Sequence, residues 1–409
     1  MSSTTVASSE GLRADELVAL LSESSASVSE REATLARRVT RDDAPPVVLF
    51  GAGCLGRRVR AALAAAGAAP VAFADNDRGL WGRSLGGTTV LAPAEAAARY
   101  ATEGLFVVTT WNPAHAYGET ANQLHALGCH DVTSWVRLAW GLESTPPLLP
   151  HYAAGRPSCV LAAAPAVARV ARLWEDPAST DEFVRQVRFR LSGDFDDLAA
   201  PVPDQYFPRD IVTLRRGEAF VDCGAFDGDT LRELVARCPE FASADAFEPD
   251  SANFAALERC VVRLGDHGRR MRLHRAATDS GHGTREFRRA GTSGALVDAP
   301  AAAFVKGRAG ADTVPCVGLD EALAGVPVSF VKIDVEGAEA DTLRGAARLL
   351  RARRPVVAMS AYHRPADLWE LPALLASLTG DGYRFHLRSH GPDGFECVLY
   401  GVPVERDRP

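Results

Sequence analysis

From Val47 onward the chain alternates short apolar runs with glycine-marked turns and stretches of helical spacing. VVLF (47–50) is apolar throughout, GAGCLG follows as a turn, and RRVRAALAAAG has helical spacing up to Gly67. PVAFADND and LFVVTTWN repeat the strand pattern, the helix ETANQLHALG comes next, and DVTSWV follows it. Short apolar strands separated by helices predict a parallel sheet with right-handed crossovers. Ahead of this series, residues 1–44 read as a disordered, Ser-rich tip followed by two short amphipathic helices, around Leu12–Leu21 and Ser29–Val39.

Prolines break the pattern at Ser144–Pro157, and the Ala/Arg-rich residues 160–200 have helical spacing throughout. A second strand–helix series starts near Phe220. It runs through EAFVDCGAFDGDT, a helix to Cys238, DAFEPD, another helix, MRLHRAATD, VSFVKIDVEG, a helix to Arg351, and RPVVAMSAYH. YRFHLRSH and FECVLY, joined by GPDG, read as an antiparallel hairpin. The fold class expected is α/β, with two Rossmann-like doubly wound sheets. The expected division is a helical arm at 1–44, a first sheet at 45–145, a helical linker at 146–205 and a second sheet at 206–409. TREFRRAGTSGALVD (284–298) reads as a loop-rich segment.

Composition narrows the function. The 409 residues carry a formal net charge of -7, which lacks the basic field that duplex binding requires, so nucleic acid is not an expected partner. Lysine occurs only at Lys306 and Lys332, and arginine supplies the other basic residues, a bias that suggests a GC-rich bacterial genome. The 8 cysteines are scattered without a C-x-x-C pair, which fits reduced thiols in a cytoplasmic protein. The N-terminal residues lack the layout of a signal peptide, and no apolar run reaches the length of a membrane span. A soluble protein is expected.

The two glycine turns differ in chemistry. In the first, Gly51, Gly53 and Gly56 follow an apolar strand, and Asp75 ends the next one. That context suits a dinucleotide, with pyrophosphate at a helix N-terminus and the acid on a ribose. In the second, FVDCGAFDGDT, Asp222 stands two residues before Gly224. A carboxylate there repels pyrophosphate but suits the α-ammonium of an amino-acid moiety. S-adenosylmethionine has that ammonium, a ribose and no phosphate. Gly224 and Gly228 leave the turn without side chains where such a ligand would lie, and Glu248, 26 positions after Asp222, is placed for both ribose hydroxyls. A plainer role for Asp222, and equally for Asp334 further on, is to cap the helix that follows.

These residues, together with KIDVEGAE (332–339) and SAYH (360–363), resemble the FkbM family of methyltransferases over roughly 190 residues. The resemblance implies a class I methyltransferase sheet of seven strands with the last antiparallel, S-adenosylmethionine as cofactor and a small-molecule acceptor. The cofactor set expected is Asp222, Gly224, Gly228, Asp229, Thr230, Glu248, Ala277 and Asp334. Residues 46–143 resemble, on FGAGCLG, FADND and QLHALG, the Rossmann-type domain that precedes bacterial sugar acyltransferases. That implies either a sugar-nucleotide site or a retained scaffold.

Methyl transfer needs an acceptor atom held ~3–3.5 Å from the methyl carbon, and usually a base for its proton. Asp334, Glu336 and His363 are the catalytic candidates: Asp334 for the cofactor's methionine portion or the acceptor hydroxyl, Glu336 for orienting substrate, His363 as general base. The same three could gather a divalent metal, but nothing in their spacing demands one, and no metal ligands are assigned. Tyr362 could bind acceptor or pack in the core, and Lys332 is expected to pair with an acid. O-methylation of a sugar or specialised metabolite is the expected reaction, with N-methylation as the alternative. An NAD-dependent oxidoreductase acting through the first turn lacks a Tyr-x-x-x-Lys dyad, since 45–145 contains no lysine. A homo-oligomer is an open possibility, and the first turn's domain could equally serve dimerisation or substrate docking.

Overall fold

A computed structural model describes residues 15–290, 293–296 and 312–406. Contacts group the chain into two compact units. The first comprises Met1–Pro165, Val184–Pro201 and Gly391–Phe395, and the second comprises Ala166–Phe183, Val202–His390 and Glu396–Pro409. The segment 146–205, expected as a linker, is therefore divided between the units.

In the first unit, residues 15–21 are helical, and α1 (Ser25–Thr40) is capped by Ser24, whose side chain accepts the Ser27 N–H. Of the two short helices expected here, the second thus extends beyond 29–39, and the proposed Ser-rich tip lies outside the described residues. The six-stranded sheet has the order β3-β4-β2-β1-β5-β6. Its strands are β1 (Val47–Phe50), β2 (Ala72–Ala74), β3 (Ser84–Leu85), β4 (Thr88–Leu91), β5 (Leu105–Val108) and β6 (Asp131–Ser134). All pairings are parallel except the β3–β4 hairpin. Every residue of β1, β2 and β5 is buried, which is why these strands read as continuous apolar runs rather than as alternations.

The second unit is built on a seven-stranded sheet of order β16-β17-β15-β14-β7-β8-β9. The strands are β7 (Ala219–Cys223), β8 (Ser243–Phe247), β9 (Met271–His274), β14 (Phe330–Ile333), β15 (Val356–Ser360), β16 (Tyr383–Ser389) and β17 (Cys397–Pro403). β17 is inserted between β15 and β16 and runs antiparallel to both, so the expected hairpin and antiparallel last strand are present. Helices α2 (Asp229–Arg237), α3 (Ser251–Arg263), α4 (Glu339–Gly345), α5 (Ala347–Arg353) and α6 (Asp367–Thr379) follow the strands. The one helix expected up to Arg351 is thus two, α4 and α5. A core cluster gathers Phe207, Phe220 and Phe330, with ring centroids 5.4 to 5.8 Å apart.

A third, four-stranded sheet has the order β10-β13-β11-β12, from β10 (Ala277–Thr278), β11 (Gly283–Ala290), β12 (Ser293–Leu296) and β13 (Asp312–Val317). It corrects the loop reading of 284–298: the described part of that segment is strand. In GTREFRRA only Phe287 is a large apolar residue, and it packs with Ala277, Val314, Cys316 and Ala338. One large apolar position in eight gives no alternation for a sequence reading to detect.

Candidate functional site

The parallel register of β14, β7 and β8 places three acids at or beside neighbouring carboxyl ends. Asp222 pairs with Lys332 on β14 and with Ala246 on β8, Glu248 follows β8 directly, and Asp334 follows β14. In open parallel sheets this is the edge at which ligands bind.

Asp222 is completely buried, and its Oδ1 lies 3.0 Å from Lys332 Nζ. Neither carboxylate oxygen receives a well-directed hydrogen bond, so the pair is close but incompletely satisfied. Burial pushes the Asp222 carboxyl up to about 6 against the pull of Lys332. Burial alone would discharge Lys332, but Asp222 and Asp334 hold it charged. The ammonium also donates to the Gly224 carbonyl at 2.6 Å and lies 3.9 Å from Asp334 Oδ2. The expected pairing of Lys332 with an acid is therefore present. Asp222 does not cap α2, whose N-cap is Gly228 with no side-chain hydrogen bond, and Asp334 does not cap α4, whose N-cap Ala338 also has none.

The glycines serve the turn in a way the sequence did not specify. A Cβ on Gly224 (φ 83°) would stand 1.8 Å from the Asp334 carbonyl oxygen. One on Gly228 (φ 87°) would stand 2.9 Å from Cys260 Sγ. Both missing side chains point into protein, so these glycines let the turn close onto β14 and α3. Asp229 opens α2 and accepts the Thr230 N–H, Thr230 is buried, and Ala277 is committed to the small sheet's core.

Glu248 is held by two backbone donors, Phe226 N–H at 2.9 Å and Asp250 N–H at 2.8 Å. Asp250 in turn caps α3 by accepting from Ala252 and Asn253. The EPD run thus starts a helix and fixes a carboxylate in one stroke. Burial raises Glu248 to about 7.

On the other side of Asp334 the ring of His363 is buried. Its Nδ1 is 2.7 Å from Glu339 Oε1, and its Nε2 is 3.5 Å from Asp334 Oδ1 and 3.7 Å from Glu336 Oε2. The three catalytic candidates are therefore together. Burial would favour the neutral ring, but Glu339, Glu336 and Asp334 outweigh it and hold His363 well above its usual value. Burial lifts Glu336 to about 7. Asp334 stays below its usual value, since Lys332, His363 and the Tyr206 hydroxyl outweigh its burial. One ligand atom from each of Asp334, Glu339 and His363 lies within 4.8 Å of the others, a spacing open to a cation. The 2.7 Å contact of Nδ1 with Glu339 Oε1 is a hydrogen-bond distance.

Several site residues escaped the sequence reading. Tyr206 donates to Asp334 Oδ2 at 3.0 Å, and Lys332 Nζ sits 5.2 Å from its ring centre. Tyr362 donates to Glu396 Oε1 at 3.1 Å, and its ring centre is 4.4 Å from that of His363. Glu339 stood inside the KIDVEGAE run, which was its only available signal. Tyr206 and Glu396 had none.

The seven-stranded order, with its antiparallel insertion and acid-tipped central strands, is that of a class I methyltransferase. Residues 222–385 match the family model for the methyltransferase FkbM domain. The chain is similar to the crystal structure of methyltransferase FkbM from Methylobacillus flagellatus KT. Identity is 20%, the TM-score is 0.74, and 96% of this chain and 100% of that one are covered. It is more distantly similar to a precorrin-6y C5,15-methyltransferase from Geobacter metallireducens GS-15, at 12% identity and TM-score 0.30 over 47% of this chain and 82% of that chain. No curated protein matches the chain. Among the described residues no helix is long and apolar enough to cross a membrane.

Proposed function

We propose that the protein transfers the methyl group of S-adenosylmethionine to a hydroxyl of a small molecule. The observation that carries this reading is the sign of charge at the strand ends. Asp222, Glu248 and Asp334 lie at or just beyond the carboxyl ends of three adjacent strands, with Lys332 as the cation among them. A polyphosphate would be repelled there, whereas a donor bearing an ammonium and a sulfonium is attracted. Asp222 is fully covered, so it acts through its field and through the Gly224 carbonyl that Lys332 holds. Asp334, with 27% of its side chain exposed, is the acid available for contact with the donor's ammonium. Glu248, fixed by its two backbone donors, fits the ribose diol.

When bound, the donor supplies an electrophilic methyl carbon. The chain's own residues do the rest. Asp334 and Glu336 orient the acceptor hydroxyl, and the neutral form of His363, which is populated only above its raised titration range, receives its proton at Nε2. Oxygen is favoured over nitrogen as acceptor because a protonated amine among these carboxylates would be stabilised in its unreactive form.

Isothermal titration with S-adenosylmethionine, S-adenosylhomocysteine and NAD tests the reading. The first two are expected to bind and NAD is not. Asp222→Ala should abolish the binding, while Gly53→Val in the other glycine turn should leave it unchanged. NAD binding without S-adenosylmethionine binding would refute the assignment.

A further inference from the structure

We propose that Glu339 is the positioning residue for His363. It holds the Nδ1–H of the ring, which leaves Nε2, turned toward Asp334 and Glu336, as the nitrogen that takes the acceptor's proton. The inference rests on the methyl-transfer reading above and assigns the geometry of its base.

Glu339 Oε1 accepts three hydrogen bonds: His363 Nδ1–H at 2.7 Å, Val335 N–H at 3.1 Å and Gly337 N–H at 3.3 Å. Val335 and Gly337 flank Glu336, which sits at φ 53°, a left-handed conformation costly for a glutamate. One oxygen therefore fixes the ring and the loop that aims Asp334 and Glu336, so the proton acceptor and its two neighbours are set by a single anchor. The carboxylate is itself enclosed, since Glu339 opens α4 and is 1% exposed.

An ionised carboxylate only accepts hydrogen bonds. At 2.7 Å an unprotonated Nδ1 would set two lone pairs against each other, so Nδ1 carries hydrogen whether the ring is neutral or charged. The His363 charge holds Glu339 below its usual value despite burial, so the carboxylate is ionised as the geometry requires. Other charged groups face the ring: Asp334 and Glu336 from the loop after β14, Asp367 from the start of α6 and Glu396 from the turn before β17. Asp334 and Glu336 lie 3.5 and 3.7 Å from Nε2, whereas Glu339 lies 2.7 Å from Nδ1, and that difference distinguishes the two ring nitrogens. In the reaction an oxygen lone pair of the acceptor forms the new O–C bond as the methyl–sulfur bond breaks and its pair passes to sulfur, with S-adenosylhomocysteine as leaving group; the O–H pair stays on oxygen and the proton passes to the Nε2 lone pair of the neutral ring, giving an imidazolium held by Glu339.

The test is nitrogen NMR of the full chain labelled with 15N-histidine and saturated with S-adenosylhomocysteine. The His363 signal is assigned by its absence in His363→Asn. Above the ring's titration the neutral form is expected as the Nδ1–H tautomer. Glu339→Gln, whose amide oxygen still accepts, should keep it. Glu339→Leu should shift the tautomer ratio toward Nε2–H by about tenfold or more, the equivalent of one charge-assisted hydrogen bond. An Nε2–H tautomer in the parent protein, an unchanged ratio in a folded Glu339→Leu, or a ring still doubly protonated throughout the alkaline range would each overturn the proposal. Should Glu339→Leu not fold, the parent and Glu339→Gln spectra decide alone. Failure of S-adenosylhomocysteine to bind the same sample sinks the methyl-transfer reading instead, whatever the tautomer.

Discussion

Each unit opens with a buried apolar strand running into a glycine turn and a helix, and the two turns are electrostatic opposites. In the first, Asp75 spends both oxygens on backbone donors, Ala52 N–H at 2.7 Å and Asp77 N–H at 2.8 Å. The residues leading into it, Leu49 and Phe50, carry no charge, and the following helix (Cys54–Ala65) has no side-chain cap. In the second, a buried acid lies under the turn with a lysine pressed against it. One architecture therefore carries an uncharged first-strand end in one unit and a buried, lysine-paired carboxylate in the other.

The strongest way to break that contrast is to remove the lysine. Lys332→Met leaves Asp222 buried and unpaired, and is expected to cost about 3–5 kcal/mol in denaturant unfolding. Combining it with Asp222→Asn should restore most of that stability. If Lys332→Met alone proves neutral, the ion pair does not govern the second turn. Gly224→Ala comes next. Its Cβ would overlap the Asp334 carbonyl at a φ of 83°, with an expected loss of about 2–3 kcal/mol. Weaker binding of S-adenosylmethionine should accompany it, because Asp334 would have to move. Wild-type stability with an intact affinity would show that the turn has room to spare.

Both sheets were legible in the sequence because strands buried on two faces are unbroken apolar runs, as in VVLF (47–50) and VVAM (356–359). The four-stranded sheet was not, since β11 carries a single large apolar residue and β13 reaches it from 312–317. Asp222, Glu248 and Asp334 were legible because each lies at or just beyond the carboxyl end of a strand, a position that periodicity supplies. Tyr206 meets Asp334 across 128 positions, and Glu339 meets His363 across 24. Pairings of that range leave no local pattern. The glycines were found for a partly different reason from the one the structure gives: their missing side chains make room for β14 and α3.

A smaller effect sharpens the contrast through pH. Burial raises Glu248 to about 7 from an ordinary value of 4.5. Between those values the unfolded chain has lost this proton while the folded chain keeps it, so the group's contribution to ligand-free stability falls as pH rises through the window. Ribose hydroxyls donate better to the ionised form, so affinity for S-adenosylmethionine should climb severalfold, about 1 kcal/mol, as pH passes through about 7. Calorimetric titration across that range checks it, and Glu248→Gln should flatten the dependence. An equal slope in both proteins would assign the effect to another group.

The smallest effect is expected at Gly53, and it is informative for that reason. A Cβ there meets no atom within 4 Å, and the backbone, at φ -69°, is one that alanine adopts freely. Gly53→Ala should therefore leave stability unchanged or raise it by about 0.4–1 kcal/mol, by restricting the unfolded chain. The flanking glycines behave differently: a Cβ at Gly51 would stand 2.7 Å from Thr110 Oγ1, and one at Gly56 would stand 1.9 Å from the Gly51 carbonyl oxygen. The fold thus accounts for Gly51 and Gly56 but not for Gly53. If Gly53→Ala is silent in unfolding and in S-adenosylmethionine binding, the first turn serves as scaffold for the second unit's chemistry. If it instead lowers the thermal shift produced by a nucleotide, the open space above Gly53 is a ligand's, and the two turns divide anionic and cationic ligands between them.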